Sequence, residues 1–131
     1  MQRVEGIGGL FFRASDPDGL TRWYSRHLGI DPPPASYDEA PWRQEAGSTI
    51  FAAMPADSEH LGSPHHSWAV NFRVADLEAM VMQLRSAGIQ VAVDPAAYPN
   101  GTFASLEDPE GNGIQLWQPA GADQQDTEKG G

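Results

Sequence analysis

The chain has 131 residues, which allows one domain or two small half-modules that share a core. It contains no cysteine, which excludes disulfides and thiolate metal sites, and its net charge of −10 argues against nucleic acid as a partner because phosphate contacts require Lys and Arg. No stretch is apolar enough to predict a membrane span or a signal region, so we expect a cytoplasmic protein with no membrane partner.

The first half of the chain predicts a strand, a helix and two further strands. Residues 7–14 alternate between two faces, as a half-buried strand does, and this places Phe11 and Arg13 on the same face. Asp16 followed by proline is typical of a helix N-terminus, and Gly29 occupies the position where glycine ends a helix. Two more strand patterns follow, at residues 42–46 and 49–54.

The second half predicts the same order of elements with clearer signals. Residues 67–74 alternate strictly and predict a strand, and Asp76 predicts the start of a second helix that Gly88 ends. A short strand is expected at residues 89–93. The last two strands are expected to form a hairpin across the turn at residues 108–112, with one strand at residues 102–107 and the other ending at Pro119.

A local sequence pattern occurs twice, 60 residues apart. Phe12-Arg13-x-x-Asp16 matches Phe72-Arg73-x-x-Asp76, and in each half the following helix ends in a Gly-Ile pair. We interpret the chain as two βαβββ half-modules, at residues 4–55 and 67–119, within one domain spanning residues 4–119. The predicted class is α+β, with curled mixed sheets and the helices outside, and residues 120–131 are expected to form a disordered tail.

The strand faces that do not pack on the helices are expected to line a cavity. Period-two alternation assigns one face of each strand to a helix, and the other face then lines the inside of a curled sheet. The residues assigned to this inner face are Gly9, Phe11, Arg13, Thr49, Phe51, Ala53, Ser67, Ala69, Asn71, Arg73, Gln115 and Trp117.

Three features together resemble a known family. These are the paired βαβββ pattern, the helix motif Asp16-x6-Trp23-Tyr24-x3-Leu28-Gly29, and the turn Asp108-Pro109-Glu110-Gly111-Asn112 before Gln115-Leu116-Trp117. Over residues 4–119 the chain resembles the vicinal oxygen chelate superfamily, which includes glyoxalase I, bleomycin-resistance proteins, extradiol dioxygenases and methylmalonyl-CoA epimerase. The resemblance implies a glyoxalase-like domain and a homodimer, because small members of this family build their cavities between two chains.

The resemblance also implies where a divalent metal would be held. In the metal-using members, four inward strand positions supply His, Glu or Gln ligands, and here these positions are Gly9, Phe51, Ala69 and Gln115. Only Gln115 has a side chain that can reach a metal. One neutral amide does not hold a catalytic divalent ion, which takes three or more His or carboxylate ligands. We therefore expect no cofactor, and whether the protein is an enzyme is left open.

The leading hypothesis is a metal-free binding protein that resembles the bleomycin-resistance branch and holds a small organic ligand in an aromatic-lined cavity. One alternative is a metal-dependent lyase, isomerase or dioxygenase of the same superfamily. A weaker alternative is a metal-free enzyme that uses Arg and Gln for electrostatic stabilisation. The residues expected to contact the ligand are Phe11, Arg13, Phe51, Asn71, Arg73, Gln115 and Trp117.

Several of these side chains also have a structural interpretation. Arg13 and Arg73 are suited to ion pairs with nearby acidic residues, and Gln115 to a buried amide bonded to the backbone. Phe51 and Trp117 are suited to filling a closed core. The pair His65-His66 is more typical of a solvated loop than of a metal site, because adjacent residues in extended chain point in opposite directions. Glu110 is interpreted as a turn residue.

Overall fold

The computed structural model describes residues 1–63 and 65–122. Helix α1 spans Pro17–Leu28, a short 3-10 helix spans Glu59–Leu61, and helix α2 spans Leu77–Ser86. The strands are β1 (Val70–Arg73), β2 (Ala92–Val93), β3 (Gly101–Glu107) and β4 (Gly113–Pro119). Within the described ranges, no helix is both long and apolar enough to cross a membrane.

The four strands form one curled mixed sheet in the order β1-β4-β3-β2. Strand β1 runs parallel to β4, and β3 is antiparallel to both β4 and β2. The order β1-α2-β2-β3-β4 is the predicted βαβββ arrangement, including the hairpin across residues 108–112. The predicted α+β class is confirmed.

Both helices begin and end where the sequence predicts. The Asp16 carboxylate accepts from the Gly19 N–H at 3.0 Å, and the Asp76 carboxylate accepts from the Ala79 N–H at the same distance. Each bond satisfies one backbone donor that the first helical turn leaves unpaired. Gly29 follows α1 in the left-handed conformation, with a φ of 72°, which glycine adopts without steric cost.

The core lies between the two helices and one face of the sheet. Leu116 is fully buried at the centre of β4, and Leu84 from α2 is 1 % exposed. Burying an aliphatic side chain of this size stabilises a fold by roughly 1.5–3 kcal/mol. The other buried apolar residues packed in this cluster are Leu20, Tyr24, Leu77, Val81, Val91, Ala104, Leu106 and Ile114.

The strands predicted in the first half do not form. Residues 1–63 contain no strand, so the predictions at residues 7–14, 42–46 and 49–54 are wrong for this structure. Several of their apolar side chains face solvent, with Phe11 94 % and Phe51 89 % exposed, although Phe12 packs against Tyr24. Alternation fixes which side chains share a face, but a strand exists only where a neighbouring strand accepts its backbone hydrogen bonds.

Two other boundaries differ from the prediction. Strand β1 starts at Val70 rather than at residue 67, and β2 is reduced to Ala92–Val93. Of the predicted tail at residues 120–131, residues 123–131 lie outside the described part of the chain. Ala120 belongs to the fold, because its N–H donates to the Asn100 carbonyl at 3.0 Å.

Candidate functional site

The face of the sheet opposite the helices carries a regular array of side chains. Since Ala104, Leu106, Ile114 and Leu116 point into the core, their neighbours along β3 and β4 point the other way. Strand register aligns Asn71 with Gln115 and Ser105 in one row, and Arg73 with Trp117 and Phe103 in the next. This helix-free face consists of Ala69, Asn71, Arg73, Phe103, Ser105, Glu107, Gly113, Gln115 and Trp117.

The centre of the helix-free face is a pair of side-chain amides. The Asn71 Nδ2 group donates to the Gln115 Oε1 atom at 2.7 Å, between register partners on the parallel strands β1 and β4. Asn71 is exposed and Gln115 is half-buried. The NH2 group of a side-chain amide can donate two hydrogen bonds, and its oxygen can accept two. This single bond therefore leaves each amide with capacity for further hydrogen bonds. The pair is therefore fixed in position and accessible.

One end of the face is bordered by the segment at residues 45–47. The Arg73 guanidinium donates from Nη2 to the Glu45 carbonyl at 2.8 Å. A side chain at Gly47 would meet the same guanidinium, so glycine permits this close approach. The backbone segment thus holds Arg73 at the edge of the face, which differs from the carboxylate ion pair considered from the sequence.

The opposite end is bordered by the short 3-10 helix. The Leu61 carbonyl oxygen lies 3.2 Å from the position that a Cβ atom on Gly113 would occupy. The absence of a side chain at Gly113 lets residues 61–62 approach β4 closely. Residues 45–47 and 61–62 therefore flank the central row, Asn71, Gln115 and Ser105, and we call this arrangement the amide groove.

Aromatic side chains lie next to Arg73 at one end of the helix-free face. Trp117 is only 3 % exposed, and its indole N–H donates to the Asn100 carbonyl at 2.8 Å. Its ring lies parallel to that of Phe103, with centroids 6.2 Å apart, and Tyr98 packs edge-on against Phe103 at 5.9 Å. Trp117 is thus packed and oriented by other residues of the protein, which agrees with the alternative interpretation that it fills a closed core.

The structure brings together four of the seven residues predicted to bind ligand. Asn71, Arg73, Gln115 and Trp117 share the helix-free face, whereas the other three predicted residues lie in the strand-free first half and are exposed. Those three residues are Phe11, Arg13 and Phe51. Sequence reasoning did not include Phe103, Ser105 and Glu107 in the site. The signal was present, because alternation in the predicted hairpin places Ser105 opposite Gln115.

The turn between β3 and β4 connects the sheet to helix α1. Asp108, 4 % exposed, accepts from the Tyr24 hydroxyl at 2.7 Å, from the Asn112 side chain at 2.7 Å, and from the backbone N–H groups of Glu110 and Asn112. Burial, followed by the hydrogen bond to this carboxylate, raises the pKa of Tyr24 well above its usual value. The carboxylate is thus fully bonded, and its role is structural.

Glu110 does more than complete the turn. Its carboxylate accepts from the backbone N–H groups of Ser15, at 2.6 Å, and Asp16, at 3.0 Å. These two residues lead directly into helix α1. The turn therefore holds the start of the helix through Glu110 and its middle through Tyr24.

The four positions that the resemblance implies as metal ligands do not provide a suitable donor set. Gly9 and Phe51 lie outside the sheet, and Ala69 has no donor atom. The Gln115 oxygen accepts a hydrogen bond from Asn71. Within residues 1–63 and 65–122, no three His, Asp or Glu side chains lie close enough together to hold a metal ion. These residues do not fit a divalent ion.

Two clefts lie on the helix side of the molecule, away from the helix-free face. One, of about 490 Å³, lies between the C-terminal turns of α1 and α2 and includes Arg26, His27 and Gln83. The other, of about 510 Å³, runs along α1 to Pro32. Both are open to solvent between helical side chains. We place the candidate site at the amide groove because its polar groups are fixed by strand register and a direct hydrogen bond.

The sequence profile of the Glyoxalase/Bleomycin resistance protein/Dioxygenase superfamily matches residues 6–116. The chain belongs to this superfamily. The antibiotic-binding protein TnmS3 from Streptomyces sp. CB03234 has a similar fold, with a TM-score of 0.57 and 19 % identity over 92 % of this chain and 100 % of that one. No curated protein sequence matches the chain significantly.

Two further solved structures show weaker structural similarity. A glyoxalase/bleomycin resistance protein from Streptomyces sp. CB03234 is 34 % identical, with a TM-score of 0.35, over 38 % of this chain and 43 % of that chain. A glyoxalase family protein from Bacillus anthracis is 18 % identical over 78 % of this chain and 83 % of that chain, with a TM-score of 0.47. The first match thus spans less than half the length of its relative.

Proposed function

We propose that this protein binds a small organic molecule in the amide groove without a catalytic metal. The observation that carries the proposal is the hydrogen bond between Asn71 and Gln115 on a sheet face that the helices leave uncovered. Small-molecule sites combine apolar walls with a few fixed polar groups that set the ligand's orientation. Membership of the superfamily and the fold shared with an antibiotic-binding protein support the proposal.

The chemistry of the groove favours recognition over metal-assisted catalysis. The amides of Asn71 and Gln115 are neutral donors and acceptors, and neither serves as a general acid or base at neutral pH. The Arg73 guanidinium, fixed by the Glu45 carbonyl, supplies a positive charge at one end. Such a set orients carbonyl, amide or hydroxyl groups of a ligand.

A second copy of the chain is the proposed cover for the first half. Phe11 and Phe51 expose nearly all of their surface, and large exposed apolar side chains are typical of interaction surfaces. The other large apolar residues exposed there include Ile7, Leu10 and Ile50. We propose a homodimer in which these side chains become buried and the ligand residues predicted in the first half approach a groove.

Ligand screening with matched variants tests the proposed function. A thermal-shift screen of small organic molecules, including basic glycopeptide antibiotics, identifies ligands that stabilise the wild type. Gln115→Ala should reduce the stabilisation, whereas Gln90→Ala, a change at an exposed loop residue, should leave it intact. Equal stabilisation of both variants by the ligand would contradict the assignment of the binding site to the amide groove.

Elemental analysis tests the absence of a metal. The proposal predicts substoichiometric Ni, Zn, Fe and Mn in the purified protein, and no large thermal stabilisation when these ions are added. A stoichiometric metal with a large stabilisation would support the metal-dependent lyase, isomerase or dioxygenase alternative.

A further inference from the structure

Glu107 is an acidic residue on the helix-free face that the predicted binding site did not include. It ends strand β3 and is exposed, and its register partner is Gly113, beside which the Leu61 carbonyl lies on the same face. Within residues 1–63 and 65–122, its carboxylate forms no ion pair or hydrogen bond. A carboxylate in this setting is available to a ligand cation.

The distance from Glu107 to the amide pair follows from sheet geometry. Glu107 lies two residues along β3 from Ser105, which is the register partner of Gln115. Two residues of strand rise span about 6.8 Å and one strand spacing about 4.8 Å, so the backbone positions of Glu107 and Gln115 are about 8 Å apart. One small molecule can reach both.

The two ends of the face differ in charge. Arg73 lies in the row beyond Gln115, and Glu107 lies in the row on the other side. The Arg73 guanidinium is engaged by the Glu45 carbonyl, whereas the Glu107 carboxylate is exposed to solvent. The net charge of −10 adds a long-range attraction for cations.

We propose that Glu107 is a specificity-determining residue that selects ligands carrying a protonated amine about 8 Å from the group that hydrogen-bonds to Asn71 and Gln115. This inference rests on the proposed function of the amide groove and names its ligand class as cationic organic molecules. The ammonium group contacts the Glu107 carboxylate, while a carbonyl or sulfonyl oxygen accepts from the Gln115 amide.

Three fluorescent probes that share a dansyl group and a five-carbon chain, and differ in the charge of the terminal group, test the inference. Dansylcadaverine carries a primary amine on a five-carbon chain, its N-acetyl derivative is neutral, and dansyl-6-aminohexanoic acid is anionic. Dissociation constants are measured from dansyl fluorescence at low salt. We expect the wild type to bind the amine probe about two- to fivefold more tightly than the neutral probe, the size typical of one exposed charge pair. The anionic probe should bind most weakly.

Variants at Glu107 assign this preference to one side chain. Glu107→Gln should remove the difference between the amine and neutral probes, and Glu107→Lys should reverse the order of the charged probes. Glu78→Gln, which removes an exposed carboxylate on α2, is the matched control and should retain the preference. The preference should also fall as salt rises towards 1 M, where the Debye length is about 3 Å.

The outcomes separate this inference from the proposed function. Equal binding of all three probes to the wild type, with weaker binding to Gln115→Ala, would contradict the role of Glu107 and support the groove. A preference that persists in Glu107→Gln would also contradict it. No binding of any probe at millimolar concentration, together with no hit in the ligand screen, would contradict the proposed function itself.

Discussion

The two halves of the chain have similar sequence patterns but different structures. From Val70 to Pro119 the pattern forms a complete sheet with helix α2 on one face. From residue 1 to residue 63 the corresponding pattern forms helix α1 and a short 3-10 helix, with no strand. The difference shows which elements a segment forms from its own residues and which elements require a partner strand.

Helix α1 forms because it satisfies its backbone hydrogen bonds internally. Asp16 caps its first turn, and Gly29 ends it. It is then held against the sheet through Tyr24 and Glu110. A strand has no such internal source of hydrogen bonds, so the same alternation that forms β1 at residues 70–73 forms no strand at residues 7–14.

The largest expected difference between the halves concerns core side chains. Leu116→Ala removes a fully buried side chain and should lower the free energy of unfolding by about 2–5 kcal/mol. Ile50→Ala changes an exposed residue and should alter it by less than about 0.5 kcal/mol where the chain is monomeric. Denaturant unfolding measures both, and equal losses would contradict the contrast between the halves.

The connection between the halves is tested at Tyr24. Tyr24→Phe leaves Asp108 without its hydroxyl donor, and we expect a loss of about 1–3 kcal/mol in the free energy of unfolding. Because the fold raises the pKa of Tyr24, the folded protein holds this proton when the unfolded chain has lost it. Stability from Tyr24 is thus fully present below about pH 10 and is lost as pH rises above that value.

The pH dependence provides a control for this prediction. Wild-type stability should decline between pH 10 and pH 11, and Tyr24→Phe should decline less steeply. A residual slope is expected from Tyr98, whose pKa is also raised, by its hydrogen bond to Asp94. Identical slopes in the two proteins would show that the Tyr24 hydroxyl is not held as described.

The helix caps provide the smallest and most closely matched comparison. Asp16→Ala and Asp76→Ala each remove one N-cap bond of 3.0 Å, and each should cost about 1 kcal/mol. Equal effects in thermal or denaturant unfolding would place α1 in the same cooperative unit as α2. No effect from Asp16→Ala alone would indicate that the first half unfolds separately.

The sequence was most informative where the structure depends on residues that are close together along the chain. Asp16, Gly29, Asp76 and the turn at residues 108–112 were recognised because caps and turns follow from local backbone chemistry. The end of β4 was recognised because proline at position 119 limits strand pairing. The internal repeat remains a prediction, although Phe12 and Phe72 both pack edge-on against Tyr24, at 6.3 and 6.4 Å.

The site was predictable only in the half where strands pair. Alternation placed Asn71 and Gln115 on one face, but their direct hydrogen bond depends on parallel register between distant segments. The contact of Arg73 with the Glu45 carbonyl depends on the path of an irregular segment, which periodicity does not specify. Phe11 and Phe51 were assigned to a strand face that requires a partner strand.

The most direct test of the central claim is the affinity of dansylcadaverine for two matched glutamine variants. If the ligand binds at the amide groove, Gln115→Ala should weaken binding about tenfold, which corresponds to roughly 1.4 kcal/mol and the loss of one well-placed hydrogen bond. Gln90→Ala should bind like the wild type. Unchanged affinity in Gln115→Ala would contradict the assignment of the site to the helix-free face.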